Sequence, residues 1–549
     1  MENRKIGEVL LDYQYYKPDV HYSDGVIEDV LLEASRENQL KELLESDNNW
    51  AVLYHCSKIR ENLLDWYPFK ENSSLLEVGA GCGALTGLLS KKVSSVTCIE
   101  LSEKRSLINA YRNRNCKNIK ILLGNFQDIK IEEKFDYITL IGVWEYAACY
   151  LEGANPYLHM LKFLRSYLKP DGKLLIAIEN KMGIKYWNGA KEDHTNNMYS
   201  GLNDYVDDAT VRTFSHGEIE DMLKKTGCET YKFYYPVPDY KLPDTIYTDE
   251  RLPMPGELRY YREDYNAPRI YNFYDATIAD QICQDGMFPY FSNSFLIECG
   301  SGIEDVIYAK YNRIRKDKYA VSTIITKRGA DCIVQKKSIT SDAQKHIENM
   351  GAKKISGLPR LKMTDGHMEG NLYVTDYIDG QEIETLFYAC RNDAGEFVKK
   401  ARELLEAYFM PDKDELTDFV FTDEYRNLFG KVYVEGAKCL GTTNIDLIFS
   451  NLRLTEKGEM FCIDNEWVFD FPIPYEYTIW RAVTQLYGKY MIYLRNKISR
   501  NDFLKAVGLN EKNFAAYCSM EKNFADNVSG YDYRIKYRKA SMMCKMLLN

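Results

Sequence analysis

The sequence predicts an α/β protein in two domains: a parallel sheet with crossover helices, followed by a second domain of α+β type. Three observations predict it. Short apolar strands alternate with helical patterns from Leu75 to about Leu223, the signature of strand–helix–strand units. Around Gly300-Ser301-Gly302 the pattern changes to strands with hairpin-like breaks, Ile307–Arg313, Tyr319–Thr326 and Cys332–Lys337, and then to helices. A chain of 549 residues is also longer than one hydrophobic core organises.

Taken in order, residues 1–70 read as a helical N-terminal cap segment. Ile27–Leu64 carries apolar residues at three- and four-residue spacing and ends near Trp66-Tyr67-Pro68-Phe69. Residues 71–302 form the sheet domain. Within it, residues 234–290 open on Tyr234-Tyr235-Pro236-Val237-Pro238 and continue through Arg251-Leu252-Pro253-Met254-Pro255. That proline density predicts a long loop or lid. Phe291–Glu298 reads as the closing strand of the same sheet, and residues 303–549 form the second domain.

Composition removes several classes of function. The formal net charge is −10, spread over both halves with no long basic run. Nucleic acid is therefore not the expected partner, because phosphate neutralisation needs a concentrated cationic surface. The 14 cysteines are scattered without zinc-type spacing, and no apolar segment follows the first residues. Apolar runs such as Lys173–Glu179 are far shorter than a membrane span. These features predict a cytoplasmic protein with free cysteines and no transmembrane segment. The 44 tyrosines exceed normal usage and read mainly as a compositional bias, some of them lining sugar or nucleoside pockets.

The first candidate site is a nucleoside cradle. Leu75-Leu76-Glu77-Val78-Gly79-Ala80-Gly81-Cys82-Gly83 is a strand running into a glycine-rich turn, with a helix behind it at Ala84–Ser90. Glycines let the backbone turn tightly and approach a ligand at the carboxyl end of a strand. About 20 residues further on, Val96–Glu100 is a second strand ending in a carboxylate, which can accept both ribose hydroxyls.

The spacing Glu77-x-Gly79-x-Gly81-x-Gly83 resembles class I S-adenosylmethionine (SAM) dependent methyltransferases rather than dinucleotide-binding proteins. The following segments are similar to the same family. Gly124-Asn125-Phe126-Gln127-Asp128 stands where those enzymes hold adenine. Phe135–Tyr146, with Gly142 and Glu145, resembles the motif lining the methionine and methyl end. Leu168–Glu179 resembles the fifth strand and its turn. The resemblance implies a Rossmann-like sheet, SAM as cofactor, and Glu77, Gly79, Gly81, Gly83, Glu100, Asn125, Phe126, Asp128 and Gly142 as its binding residues. On the acceptor side the sequence offers His194 as a possible base for a hydroxyl, beside Glu192 and Asp193. Its equally available reading is a loop histidine held by those acids. A phosphate acceptor would need only cations, for which Lys181, Lys185 and Arg212 are candidates.

The second candidate site is a phosphoryl-transfer constellation. Asn444-Ile445-Asp446-Leu447-Ile448-Phe449-Ser450-Asn451 matches the Asp-Leu-x-x-x-Asn spacing of kinase catalytic loops, and Met460–Ile463 leads into Asp464-Asn465-Glu466. Asp446 would accept the proton of an attacking hydroxyl, and Asn451 and Asp464 would hold Mg²⁺ against ATP phosphates. Upstream, Lys336 ends a strand, Glu348 lies on the helical segment Asp342–Met350 as its ion-pair partner, and Asn371–Gly380 resembles a hinge strand. The order resembles a two-lobed, protein-kinase-like domain. No Gly-x-Gly-x-x-Gly loop precedes Lys336, and Asp464-Asn465-Glu466 stands in place of Asp-Phe-Gly. Those departures are similar to sugar and lipopolysaccharide kinases.

As a whole the chain resembles the bifunctional methyltransferase-kinases that terminate bacterial O-antigen chains, although it lacks the sustained heptads of their coiled coil. The resemblance implies a glycan or sugar-phosphate acceptor, SAM, ATP and Mg²⁺, and peripheral association with membrane assembly machinery. Two alternatives stay open. The second domain could be a non-catalytic glycan-binding unit, or the chain could be a nucleotide-gated scaffold in a polysaccharide assembly complex.

Overall fold

A computed structural model of the protein describes residues 2–18, 25–207, 209–259, 271–350, 352 and 358–531. They fall into two compact units, residues 2–253 with 271–310, and residues 254–259 with 311–531. Among the described residues no helix is long and apolar enough to cross a membrane. The α/β expectation is met.

The strands of the first unit are β1 (Arg4–Ile6), β2 (Val9–Asp12), β3 (Ser74–Val78), β4 (Ser95–Glu100), β5 (Ile119–Leu123), β6 (Phe135–Ile141), β7 (Leu168–Glu179), β8 (Tyr231–Val237), β9 (Thr245–Thr248), β10 (Ser294–Cys299) and β11 (Val306–Tyr311). They line up as β1-β2-β5-β4-β3-β6-β7-β10-β8-β9-β11. From β2 to β7 every neighbouring pair is parallel. β10 runs antiparallel to both β7 and β8. Strand order reverses at β3, with β4 and β5 on one side and β6 and β7 on the other. That reversal is where such sheets open a ligand crevice beyond their carboxyl ends. The central strands are nearly continuous apolar runs because both faces are covered: in β3 every residue from Leu75 to Val78 is buried.

The N-terminal segment is not a purely helical cap. β1 and β2 form a hairpin, and β2 extends the sheet by pairing in parallel with β5, Leu11 opposite Ile121. Val9 and Leu11 are fully buried. Strands this short carry too little alternation to stand out in the sequence. Leu11→Ala should lower the unfolding free energy by about 2–5 kcal/mol, as large-to-small changes in a packed core do. Urea denaturation would read the loss as a lower midpoint, and an unchanged midpoint would mean that the hairpin contributes nothing to the core. After it come helices Val26–Arg36, Leu40–Ser46 and Trp50–Cys56 and the 3₁₀ turn Lys58–Leu63. Leu31, Val52, Leu53 and Ile59 pack with Cys82 of the glycine turn, Ile108 and Leu242.

The proline-rich stretch also departs from expectation, because β8, β9 and helix Asp275–Gln284 lie within the predicted lid; its residues 260–270 fall outside the described ones. Strand structure survives the prolines because β10 pairs only with Tyr231–Tyr234 of β8. Pro236 therefore sits where β8 has β9 as its only partner, opposite Ile246, which is where a missing N–H is tolerated. Two buried tyrosines, one from this stretch and one from the N-terminal segment, have a structural role. Tyr67 and Tyr234 each donate to the fully buried Glu298 at 2.8 Å, and Lys173 completes the group at 2.9 Å. A buried carboxylate is tolerable when donors satisfy it in this way.

In the second unit, β12 (Val321–Arg328), β13 (Asp331–Ser338), β15 (Gly366–Glu369) and β16 (Leu372–Asp376) form an antiparallel sheet in the order β12-β13-β16-β15, while β14 (Leu361–Met363) belongs to another small sheet with Met460–Cys462, Leu452–Leu454 and Gln381–Glu382. Helix Gln344–Met350 packs Ile347 and Met350 against Val321 and Tyr373 of the first sheet. A larger aromatic core joins helices Ile383–Ala389, Ala394–Tyr408, Tyr475–Leu494 and Phe514–Val528 through Phe387, Phe397, Trp480, Tyr490 and Phe524.

Candidate active site

The chain leaves β3 through a turn in which Gly79, Gly81 and Gly83 all have positive φ, at 69°, 54° and 72°. Their surroundings differ. A Cβ at Gly79 would stand 2.5 Å from Val143 Cγ2 and one at Gly83 would stand 2.3 Å from Asn109 Oδ1, whereas one at Gly81 would meet nothing within 4 Å. Gly81 faces open space: a cavity of about 470 Å³ lined by the turn, by Glu100, Asn125, Phe126 and Gly142, and by Trp50, Tyr54 and Arg60 from the N-terminal segment. That volume lies within the ~300–1,000 Å³ usual for small-ligand clefts.

Glu100 ends β4 with its carboxylate fixed from two sides. Oε2 accepts from Gly81 N at 2.7 Å, and Oε1 accepts from Ser102 N at 2.9 Å. Ser102 in turn caps helix Glu103–Arg112 by accepting from Arg105 N at 3.1 Å. The acid is thus oriented before any ligand arrives.

The far end of the cavity is lined by Glu145, Tyr146, Asp193, His194, Tyr240 and Lys241. Glu145 is fully buried, and among the described residues neither carboxylate oxygen has a hydrogen-bond partner. Burial pushes its carboxyl up to about 8. His194 Nδ1 lies 2.8 Å from the Tyr146 hydroxyl, while its Nε2 is buried without a partner, 3.8 Å from Glu145. Burial holds this imidazole below the ordinary histidine range. Behind it sits a compensated charge cluster. Lys241 contacts both Glu179 and Asp193, Lys185 bonds Glu179 at 2.6 Å, and Tyr186 donates to Glu179 at 2.9 Å. Burial opposes the charge on Glu179, yet Lys185 and Lys241 hold it well below the usual carboxylate range.

The structure brings Gly79, Gly81, Glu100, Asn125, Phe126, Gly142 and His194 to one cavity, and it reassigns other candidates. Glu77 lies beneath the turn: its Oε2 accepts from Thr86 Oγ1 at 2.6 Å, and burial raises its carboxyl to about 7. It braces the loop and does not line the main cavity. Gly83 packs against Asn109 instead of facing the ligand space. Asp128 points outward to an ion pair with Lys17 at 2.8 Å. Among the cations suggested for a phosphate, Lys181 pairs with Asp204 and Glu218 at 2.9 and 2.7 Å, Lys185 is buried on Glu179, and Arg212 donates to the Ala209 carbonyl. Glu192 accepts from Gly201 N at 2.7 Å. Sequence reasoning missed Trp50, Tyr54, Arg60, Tyr240 and Lys241. The chain joins them by long-range contacts: Arg60 and Asn62 donate to the carbonyls of Lys241 and Pro243.

In the second unit Lys336, on β13, reaches Asp464 Oδ1 at 2.5 Å and Glu466 at 3.7 Å. Burial opposes its charge, but Asp464 and Glu466 hold its ammonium above the ordinary lysine range. Asn444 donates to the Asp464 carbonyl and accepts from Asp446 N, and Asn451 donates to the Asp446 carbonyl at 2.9 Å. Asp446 is buried, and desolvation together with Asp464 raises its carboxyl to about 7. Glu348 is not the partner of Lys336. It is exposed and accepts from Gln344 on its own helix. Helix Gln344–Met350 instead turns His346 inward, 2.9 Å from Glu466, and Glu466 takes the place expected for Glu348. Among the described residues no group of three or more His, Cys, Asp or Glu side chains is arranged to hold a metal ion. Asn451 and Asp464 could serve as a two-ligand site only together with phosphate oxygens.

Comparison with known proteins agrees with the first unit. Residues 51–232 match the family model described as a methyltransferase domain. The chain is 35% identical over 78 residues to the ribosomal RNA small subunit methyltransferase A of Borreliella burgdorferi strain B31, a match spanning 14% of this chain and 28% of that protein. It is 28% identical over 200 residues to an uncharacterized methyltransferase of Staphylococcus carnosus, spanning 34% of this chain and 90% of the relative. Among solved structures, phosphoethanolamine N-methyltransferase 1 of Haemonchus contortus, in complex with phosphoethanolamine and S-adenosylhomocysteine, aligns at 15% identity with a TM-score of 0.29, covering 50% of this chain and 51% of that one.

Proposed function

We propose that the first unit transfers a methyl group from S-adenosylmethionine. The observation that carries this reading is the cavity at the reversal of strand order, with Glu100 held by Gly81 N and Ser102 N at one end and the unpartnered Glu145 and His194 at the other. The fit is chemical as well as spatial. Glu100 offers a carboxylate to ribose hydroxyls, Asn125 and Phe126 line the same cavity and offer an amide and a ring to adenine, and Arg60, over the Tyr54 ring at 4.0 Å, offers a guanidinium to a carboxylate. When bound, SAM supplies the electrophilic methyl. His194 is the group placed to take a proton from the acceptor. Calorimetric titration with S-adenosylhomocysteine tests the reading, and absence of binding would overturn it.

The glycine turn gives a sharper check. Gly81→Val should cost folding only the left-handed strain of about 1–2 kcal/mol while lowering S-adenosylhomocysteine affinity about tenfold or more, since the added methyls enter the ligand space. Gly83→Val carries the same left-handed strain and adds about 1–3 kcal/mol of overpacking against Asn109, so its damage falls on stability. Equal effects of the two on affinity would count against the placement of the ligand at Gly81.

A second activity is favoured by a separate observation, the contact of Lys336 with Asp464 beside buried Asp446 and Asn451. We infer that the second unit binds ATP with Mg²⁺ and phosphorylates a hydroxyl. In this reading Lys336 meets the phosphates, Asn451 and Asp464 hold the metal, and Asp446 accepts the hydroxyl proton. The order of the two units supports a cell-surface glycan or its sugar precursor as the common acceptor.

A further inference from the structure

We propose that the group methylated in the first unit is a primary amine, bound as an ammonium beside Glu145 and methylated as the free base. This rests on the methyltransferase reading of the unit and adds the chemistry of its acceptor.

The argument is one of hydrogen-bond valence. Among the described residues, both oxygens of Glu145 and Nε2 of His194 are buried at the cavity wall without hydrogen-bond partners. In the tautomer whose Nδ1–H donates to the Tyr146 hydroxyl, Nε2 presents its lone pair, and an arriving cation ionises the buried Glu145, so three acceptor positions converge on one region. Burying unmet acceptors is costly unless a ligand satisfies them. An ammonium brings three N–H donors, a hydroxyl brings one, and a phosphate dianion brings none.

Charge points the same way. A phosphate would sit against the Asp193 carboxylate, and Lys241 and Lys185 behind it are already occupied, Lys241 by Glu179 and Asp193 and Lys185 by Glu179. Tyr146, Tyr150 and Trp50 supply aromatic walls of the kind that favour a cation. In the step itself, His194 Nε2 takes one ammonium proton. The freed nitrogen lone pair forms the N–C bond as the S–C bond of the sulfonium breaks. The products are a methylammonium, a neutral thioether and a protonated His194.

The test uses the full chain saturated with S-adenosylhomocysteine, titrated calorimetrically with glucosamine, ethanolamine, glucose and glucose 6-phosphate, followed by mass spectrometry with methyl-labelled SAM. Binding should be confined to the amines, at least tenfold tighter than the hydroxyl and phosphate probes, with the label on nitrogen. Glu145→Gln should weaken amine binding at least tenfold while S-adenosylhomocysteine still binds, which also shows that the variant is folded. His194→Gln should keep amine binding within a few-fold and lose methyl transfer. Binding of S-adenosylhomocysteine without any amine binding, equal affinity for glucose, or label on oxygen would overturn the amine assignment alone. Failure to bind S-adenosylhomocysteine would overturn the methyltransferase reading and this inference with it.

Discussion

Glu100→Ala is expected to weaken S-adenosylhomocysteine binding by well over tenfold while leaving the fold intact. The carboxylate offers charge-assisted hydrogen bonds to two ribose hydroxyls, each worth about 1.5–3 kcal/mol. One such bond at the lower limit already corresponds to about a tenfold change. In the protein alone Glu100 accepts from Gly81 N and Ser102 N, so its removal also relaxes the turn that faces the ligand. Glu100→Gln separates the two contributions, because an amide oxygen can still accept one of these backbone bonds while the negative charge is lost. Calorimetry on the wild type and both variants, with thermal unfolding as a control, gives the result. Unchanged affinity in the alanine variant would remove Glu100 from the site.

What could be read from the sequence was what lies close together along the chain. The glycine turn follows β3 directly and Glu100 ends the next strand, so the cradle is encoded within a short segment and its strand context. Lys241, Tyr240 and Arg60 reach the same cavity from distant segments, and no local pattern marks them. Errors also came from helical phase. Glu348 sits one residue beyond Ile347, the inward anchor of helix Gln344–Met350. Successive residues on a helix differ by roughly a quarter of a turn. Glu348 therefore faces solvent, while His346, on the other side of Ile347, reaches Glu466. Asp128 was misread because a motif position fixes only the backbone, and its side chain turns out to Lys17. The hairpin β1-β2 was missed because its signal lies in its pairing with β5, which sequence spacing does not carry.

The second large effect is expected at Asp446. Asp446→Ala should leave Mg²⁺-dependent ATP binding nearly intact and slow phosphoryl transfer by roughly 10²–10⁴, the usual contribution of a positioned base. Its carboxylate accepts from Trp467 N at 3.3 Å and lies 3.6 Å from Arg481. These contacts hold it in place without using it to grip nucleotide. Asp464→Ala should do the opposite and abolish Mg²⁺-dependent binding, because it leaves the metal only Asn451 and phosphate oxygens. It also strands Lys336 on Glu466 alone. A glycan-binding unit or a scaffold has no reason to show this split between affinity and turnover. The measurement is ATP affinity with and without Mg²⁺ for the wild type and both variants, then labelled phosphate transfer to a panel of glycans. Wild type that binds no nucleotide with Mg²⁺ would end the kinase reading. Wild type that binds nucleotide but transfers to no glycan would assign Lys336 and Asp464 to binding and leave Asp446 without a catalytic role.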